Sequence, residues 1–107
     1  MALPYSTQFL RKQIDTARDG ASYFVPTGYR AIVRSIVVHT ETTTPQEIVV
    51  YLMEPGGAFC FLYKETQTTP YYASLEMHQV GLAGDSIAAY VDLGTAWVGV
   101  GGYLLTE

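Results

Sequence analysis

Along most of this chain apolar residues recur at every second position, and turn-forming residues interrupt them at intervals of roughly 8–12 residues. Side chains of an extended strand point alternately to opposite faces, so this rhythm predicts strands. No stretch carries a convincing helical period. Residues 7–14 read as a first strand, although FLRKQI is also compatible with a helical turn. TARDGA reads as a turn, with Asp19-Gly20 supplying a positive-φ position. A short strand in YFV leads to a Pro26-Thr27-Gly28 turn and a long strand over 29–40, where Ile32, Val33, Ile36, Val37 and Val38 favour an extended chain. After the polar loop ETTTPQ, strands at 47–53 and 59–64 flank EPGGA as a hairpin. ETQTTP is a second polar loop. YYASLEMHQV then alternates, with Tyr71, Ala73, Leu75 and Met77 on one face and Tyr72, Ser74, Glu76 and His78 on the other. Strands at 86–91 and 96–105, joined by DLGT, are expected to form a final hairpin.

Seven or eight strands without a helix predict an all-β fold, an antiparallel β-sandwich or jelly roll. At 107 residues one domain is expected, over 21–107, preceded by an N-terminal arm or edge strand in residues 1–20 that is able to pair with a neighbouring subunit. Two strands are apolar on both faces. In 29–40, Ile32, Ile36 and Val38 share one face by simple alternation, and Val33 and Val37 the other. In 47–53, Ile48, Val50 and Leu52 oppose Val49, Tyr51 and Met53. An antiparallel sheet with one wet face alternates more strictly. Only 15% of the residues are charged, against about 25% in typical domains, so apolar surface is expected to remain for a partner. Arg34 is expected at the edge of such a contact, paired with a carboxylate or a backbone carbonyl.

Few functional chemistries fit these residues. Net charge is −4 and the six Lys/Arg are scattered, which gives nucleic acid no basic patch. No apolar run is long enough for a membrane helix, and MALPYSTQFLRKQ turns polar too early for a signal peptide, so synthesis in a cytoplasm is expected. The single cysteine, Cys60 in AFCFLY, reads as a small core residue. His39, Glu76 and His78 are the one conceivable metal-binding trio, of the two-His-one-carboxylate type, but the HxH spacing of cupin-type sites is missing. Asp85, Asp92, Glu54 and Glu65 sit where turns need polar residues. The glycines of VGVGGY have no following helix to cradle a phosphate and read as places for a bulge or close sheet packing. No catalytic, cofactor-binding or metal-binding residue is therefore assigned, and no enzyme is expected. Nine tyrosines and one tryptophan stand out instead. Such residues anchor interfaces and stack on sugars, which makes Tyr71, Tyr72, Tyr90 and Trp97, with Arg34, the candidate contact residues.

Three stretches, FVPTGYRAIVRSIVV, VGLAGDSIAAYV and WVGVGGYLL, resemble small all-β structural proteins of tailed-bacteriophage virions. The resemblance covers about half the chain. It implies a virion component without catalytic residues: a capsid decoration (cement) protein, or a head–tail or tail accessory protein. It further implies a homo-oligomer, with a trimer favoured, that binds the major capsid protein or other virion proteins. A carbohydrate- or receptor-binding β-module is the other function class compatible with the aromatic content.

Overall fold

A computed structural model describes residues 6–17, 22–41, 44–68 and 71–106. It contains eight strands: β1 (Ser6–Ile14), β2 (Ser22–Phe24), β3 (Tyr29–Thr40), β4 (Gln46–Met53), β5 (Phe59–Gln67), β6 (Tyr71–Gly81), β7 (Ser86–Val91) and β8 (Ala96–Thr106). They form two four-stranded antiparallel sheets, sheet I in the order β1-β8-β3-β6 and sheet II in the order β2-β7-β4-β5. The all-β sandwich expected from the alternation is what forms. The expected turn at Asp19-Gly20 lies outside the described residues.

Pairing of β1 with β8, β2 with β7, β3 with β6 and β4 with β5 is that of one long hairpin, wound so that successive rungs fall in alternate sheets. Contacts of β8 with β3 and of β7 with β4 complete the sheets. The β4–β5 hairpin at EPGGA is as expected. The final hairpin is not: β7 belongs to sheet II and β8 to sheet I, so residues 92–95 cross between the layers. A tight turn and two strands are legible there, but which sheet each strand joins depends on distant partners. β5 also runs on through Glu65 to Gln67, where ETQTTP predicts a loop, because Gln46 and Glu47 pair with Gln67 and Thr66. The polar segment at the N-terminus contributes β1 as an edge strand of the chain's own sheet, hydrogen-bonded to β8.

The core lies between the sheets and contains Ile14, Val33, Ile36 and Val38 from sheet I facing Ile48, Val50, Ile87 and Val91 from sheet II. Its composition corrects the division of β3 into faces, although the strand stays apolar on both, with Ile32 buried and Val37 half-buried on the outer side. Between Val33 and Ser35 the register slips against both neighbours: against β8 three residues of β3 face Gly102 and Gly101, so Arg34 is a bulge residue there, while against β6 it is β6 that carries the extra residue. One extra residue inverts the alternation. Val33 before the bulge and Ile36 and Val38 after it therefore share the buried face, although simple period-two counting separates them. Gly102 opposes this bulge. A Cβ there would run into the Ile32 carbonyl oxygen, which is why the strand carries glycine at this point.

β4 is apolar on both faces, as expected. Ile48, Val50 and Leu52 enter the core, while Val49 and Tyr51 are buried on the outside of sheet II together with Ala88. Among the described residues no second layer covers them. The chain's own side chains do so: Tyr51 packs edge-on against Tyr90 at 5.9 Å and against Phe59 at 6.1 Å, and Phe59 against Phe61 at 5.3 Å. Cys60 is exposed on edge strand β5, which corrects the core position that AFCFLY suggests. At a sheet edge the inward-facing position lies beyond the packed interior.

Candidate functional sites on the two outer faces

At one end of sheet I four outward side chains stand in register across all four strands. Gln13 of β1 opposes Trp97 of β8, Trp97 opposes His39 of β3, and His39 opposes Tyr72 of β6. Period two puts each on the outer face. His39 packs edge-on against Tyr72 with ring centroids 6.2 Å apart, and its Nε2 lies 2.7 Å from Glu41 Oε1. Trp97 reaches over Gly99, where a Cβ would lie 3.2 Å from Cζ3 and Cη2 of the indole. The row borders an open cleft of about 680 Å³, lined by Gln13, His39, Glu41, Thr44, Thr95 and Trp97 among others.

One wall of this cleft is the crossing loop of residues 92–95, and a buried amide holds it. Gln46 opens β4 and is 1% exposed. Its Nε2 donates to the carbonyl oxygens of Leu93 and Thr95 at 2.7 and 2.8 Å, and its Oε1 accepts from the Thr40 hydroxyl at 2.7 Å. The Asp92 carboxylate accepts from the Glu47 N–H at 2.8 Å, and Gln13 Nε2 donates to Thr95 Oγ1 at 3.2 Å. One backbone bond, from the Asp92 N–H to the Glu47 carbonyl at 3.2 Å, joins them. Gly94, at φ +71°, supplies the left-handed residue of the turn. Side chains thus make most of the bonds that tie this loop to the strands, a pattern that alternation cannot reveal.

On the other side of the molecule, the outer face of sheet II is aromatic. Phe24, Phe59 and Phe61 are 69%, 59% and 46% exposed. The Lys64 ammonium sits 4.5 Å from the Phe61 ring centroid, a cation–π contact at the rim. The register carries Phe59 opposite Met53, Phe61 opposite Tyr51 and Lys64 opposite Val49, so these residues form one continuous surface. Phe24 joins it through Ser86, which pairs with both Phe24 and Met53.

The five contact residues expected from the sequence are dispersed. Trp97 and Tyr72 join the row on sheet I. Tyr71 is on the opposite face of β6 from Tyr72 and interacts with Tyr63 of β5. Tyr90 lies on the outside of sheet II against Tyr51. Arg34 is exposed at the bulge, and among the described residues it has no carboxylate partner of the kind anticipated. The stacking platform of Trp97, Tyr71, Tyr72 and Tyr90 does not form as a unit. Sequence reasoning misses Gln13, Gln46 and the three phenylalanines. For Phe59 and Phe61 the available signal is their spacing about Cys60, which fixes a shared face without saying which face is wet.

The metal-binding trio does not converge. His39 opposes Tyr72 whereas Glu76 opposes Ser35, four residues away along β3, a separation of roughly 14 Å at about 3.4 Å per residue. Among the described residues no group of three His, Cys, Asp or Glu side chains is placed to hold a metal ion. Of the carboxylates expected at turns, Asp85 does turn work, its Oδ2 accepting from the Leu82 N–H at 2.9 Å, whereas Glu65 lies within β5 opposite Ile48.

Tyr63 carries a strongly shifted hydroxyl. Burial pushes its hydroxyl up to about 12, with the contact to Tyr71 acting in the same direction and the Gln67 amide, 3.3 Å away, acting against it. It lies between the sheets with both outer faces out of its reach, so its role is in packing. Comparison with protein-family models and with curated proteins gives no match to this chain.

Proposed function

We propose that this chain is a non-enzymatic structural protein of a tailed-phage particle, a capsid decoration (cement) subunit that stabilises the shell through oligomeric protein–protein contacts. The observation that carries the reading is the aromatic outer face of sheet II. Taking about 200 Å² for a fully exposed aromatic side chain, Phe24, Phe59 and Phe61 leave roughly 350 Å² of ring surface in water. That is the scale of the largest patch on an ordinary monomer, about 300–600 Å², which is often functional. A stable interface buries about 1,200–2,000 Å² in total, so the rings suit the dry centre of a contact whose rim is polar. The occupant is a second copy of the same chain. The strand positions that share this face carry two charges of opposite sign, Lys64 and Glu47, whereas the molecule carries a net charge of −4, so self-association here brings together a part of the surface with little net repulsion.

Strand winding supports the same reading by analogy of fold. Eight strands paired first with last and inward are compatible with a jelly roll, an architecture used by viral capsid and lectin domains. A trimer is favoured because it would seat three copies around a threefold point of a shell, against the major capsid protein. A head–tail or tail accessory role uses the same surface and differs only in the partner.

Light scattering across a concentration series tests the proposal. The parent protein is expected to be oligomeric, and Phe59→Ser/Phe61→Ser to shift it to monomer without lowering its melting temperature. A parent chain that stays monomeric at every concentration and is missing from purified particles overturns it.

A further inference from the structure

We propose that the cleft at the end of sheet I is a binding site for a neutral saccharide, with Trp97 as its stacking surface and Gln13 and Glu41 as the groups that read hydroxyls. The inference goes beyond the assembly reading and is independent of it, since the residues lie on the opposite outer face from the phenylalanines.

Size and lining select the ligand class. A cleft of about 680 Å³ falls within the roughly 300–1,000 Å³ of small-molecule sites. Its polar groups include a carboxamide, a carboxylate, an imidazole and threonine hydroxyls, a mixture of donors and acceptors. Apolar surface is concentrated in the half-buried Trp97 indole and the exposed Leu93. A purely apolar ligand would strand the polar groups unpaired. An anion would meet Glu41 in a molecule of net charge −4. A metal ion would find one carboxylate and one imidazole, too few ligands. A pyranose has what the cleft complements: an apolar C–H face for an indole and a rim of hydroxyls that both donate and accept.

The second observation is rigidity. The Leu93 and Thr95 carbonyls are tied to the buried Gln46, the Thr95 hydroxyl to Gln13, and Asp92 to the Glu47 backbone. A wall fixed by so many independent bonds holds its groups in place before a ligand arrives, which lowers the entropic cost of binding. Tyr72, next in the row beyond His39, extends the surface for a second sugar unit.

Trp97 is the only tryptophan of the chain, so intrinsic tryptophan fluorescence reports this cleft and nothing else. The test titrates the full chain with methyl glycosides of glucose, galactose and mannose, with N-acetylglucosamine, and with cello-, malto- and chitotriose. A saturable change in emission is expected for one of these series, tighter for the trisaccharide than for the single sugar. Gln13→Ala and Glu41→Ala should each weaken it about tenfold, the effect of losing one good hydrogen bond. Phe59→Ser on sheet II should leave it unchanged. Trp97→Phe, followed by calorimetry, should retain weak binding, which separates loss of stacking from loss of fold. The proposal is overturned if no member of the panel changes the emission up to its solubility limit. It is equally overturned if the two polar variants bind as tightly as the parent, or if only sialylated or sulfated sugars or peptides bind.

Discussion

Gln46→Glu is the most informative single substitution in this molecule. Side-chain volume is conserved, so no cavity or overpacking arises. What changes is hydrogen-bond polarity. In the parent the orientation of the amide follows from its partners, because the carbonyls of Leu93 and Thr95 can only accept and must face Nε2. In the variant at neutral pH a carboxylate oxygen replaces that nitrogen, 2.7–2.8 Å from two carbonyl oxygens, in a place that is 1% exposed. Two hydrogen bonds worth about 1 kcal/mol each are lost, two carbonyls lose their partner, and a charge is buried. The expected loss is at least about 3 kcal/mol. Protonation returns one O–H donor and removes the charge, so the folded state raises the pKa of the introduced carboxyl group above the usual value of about 4.3. A raised folded-state pKa stabilises the fold below the unfolded value and withdraws that contribution as pH climbs through the folded value. The gap between variant and parent should therefore narrow as pH falls towards about 4. Urea unfolding followed by Trp97 fluorescence at neutral and acid pH measures both quantities. A variant within about 0.5 kcal/mol of the parent at neutral pH, or a gap indifferent to pH, would refute the account of Gln46 as the tie between β4 and the crossing loop.

Deleting Arg34 removes the bulge and turns Ile36 and Val38 out of the core, each a loss of about 1.5–3 kcal/mol, so the deletion variant should fail to give a cooperative thermal melt. Arg34→Ala should alter monomer stability by less than about 0.5 kcal/mol, because the side chain is exposed, and a larger drop in association than in melting temperature would mark its face as a subunit contact. Gly102→Ala should cost at least about 3 kcal/mol, read by urea unfolding, since the new methyl group meets the backbone of the bulge and not a side chain that can swing away. For Tyr63, whose folded-state pKa of about 12 exceeds the ordinary 10, the folded form holds its proton where the unfolded form has lost it. Stability should be full below pH 10 and fall between about 10 and 12, and Tyr63→Phe should flatten that part of the pH–stability curve.

Much of the fold is legible in the sequence because alternation and turn chemistry are local. The boundaries of β3 and β7 coincide with the expected strands, and the two faces of β6 divide as counted. The contact surfaces are less legible. Tyr71 and Tyr72 are adjacent and chemically alike, yet one turns inward to Tyr63 and the other outward to His39. Phe59 and Phe61 carry the aromatic face of sheet II, although tyrosine and tryptophan are the more conspicuous residues in the composition.

By itself the sequence determined that this chain is built of strands, where most of them begin and end, and that two of them, β3 and β4, are oily on both sides. Those properties depend on neighbours one and two residues apart. Tertiary structure decided which side of each strand meets the core, that β7 and β8 part into different sheets, and that a glutamine fastens the loop between them. A bulge at Arg34 and a hydrogen bond from Gln46 exist only relative to strands dozens of residues away, and no local spacing encodes where those strands come to rest.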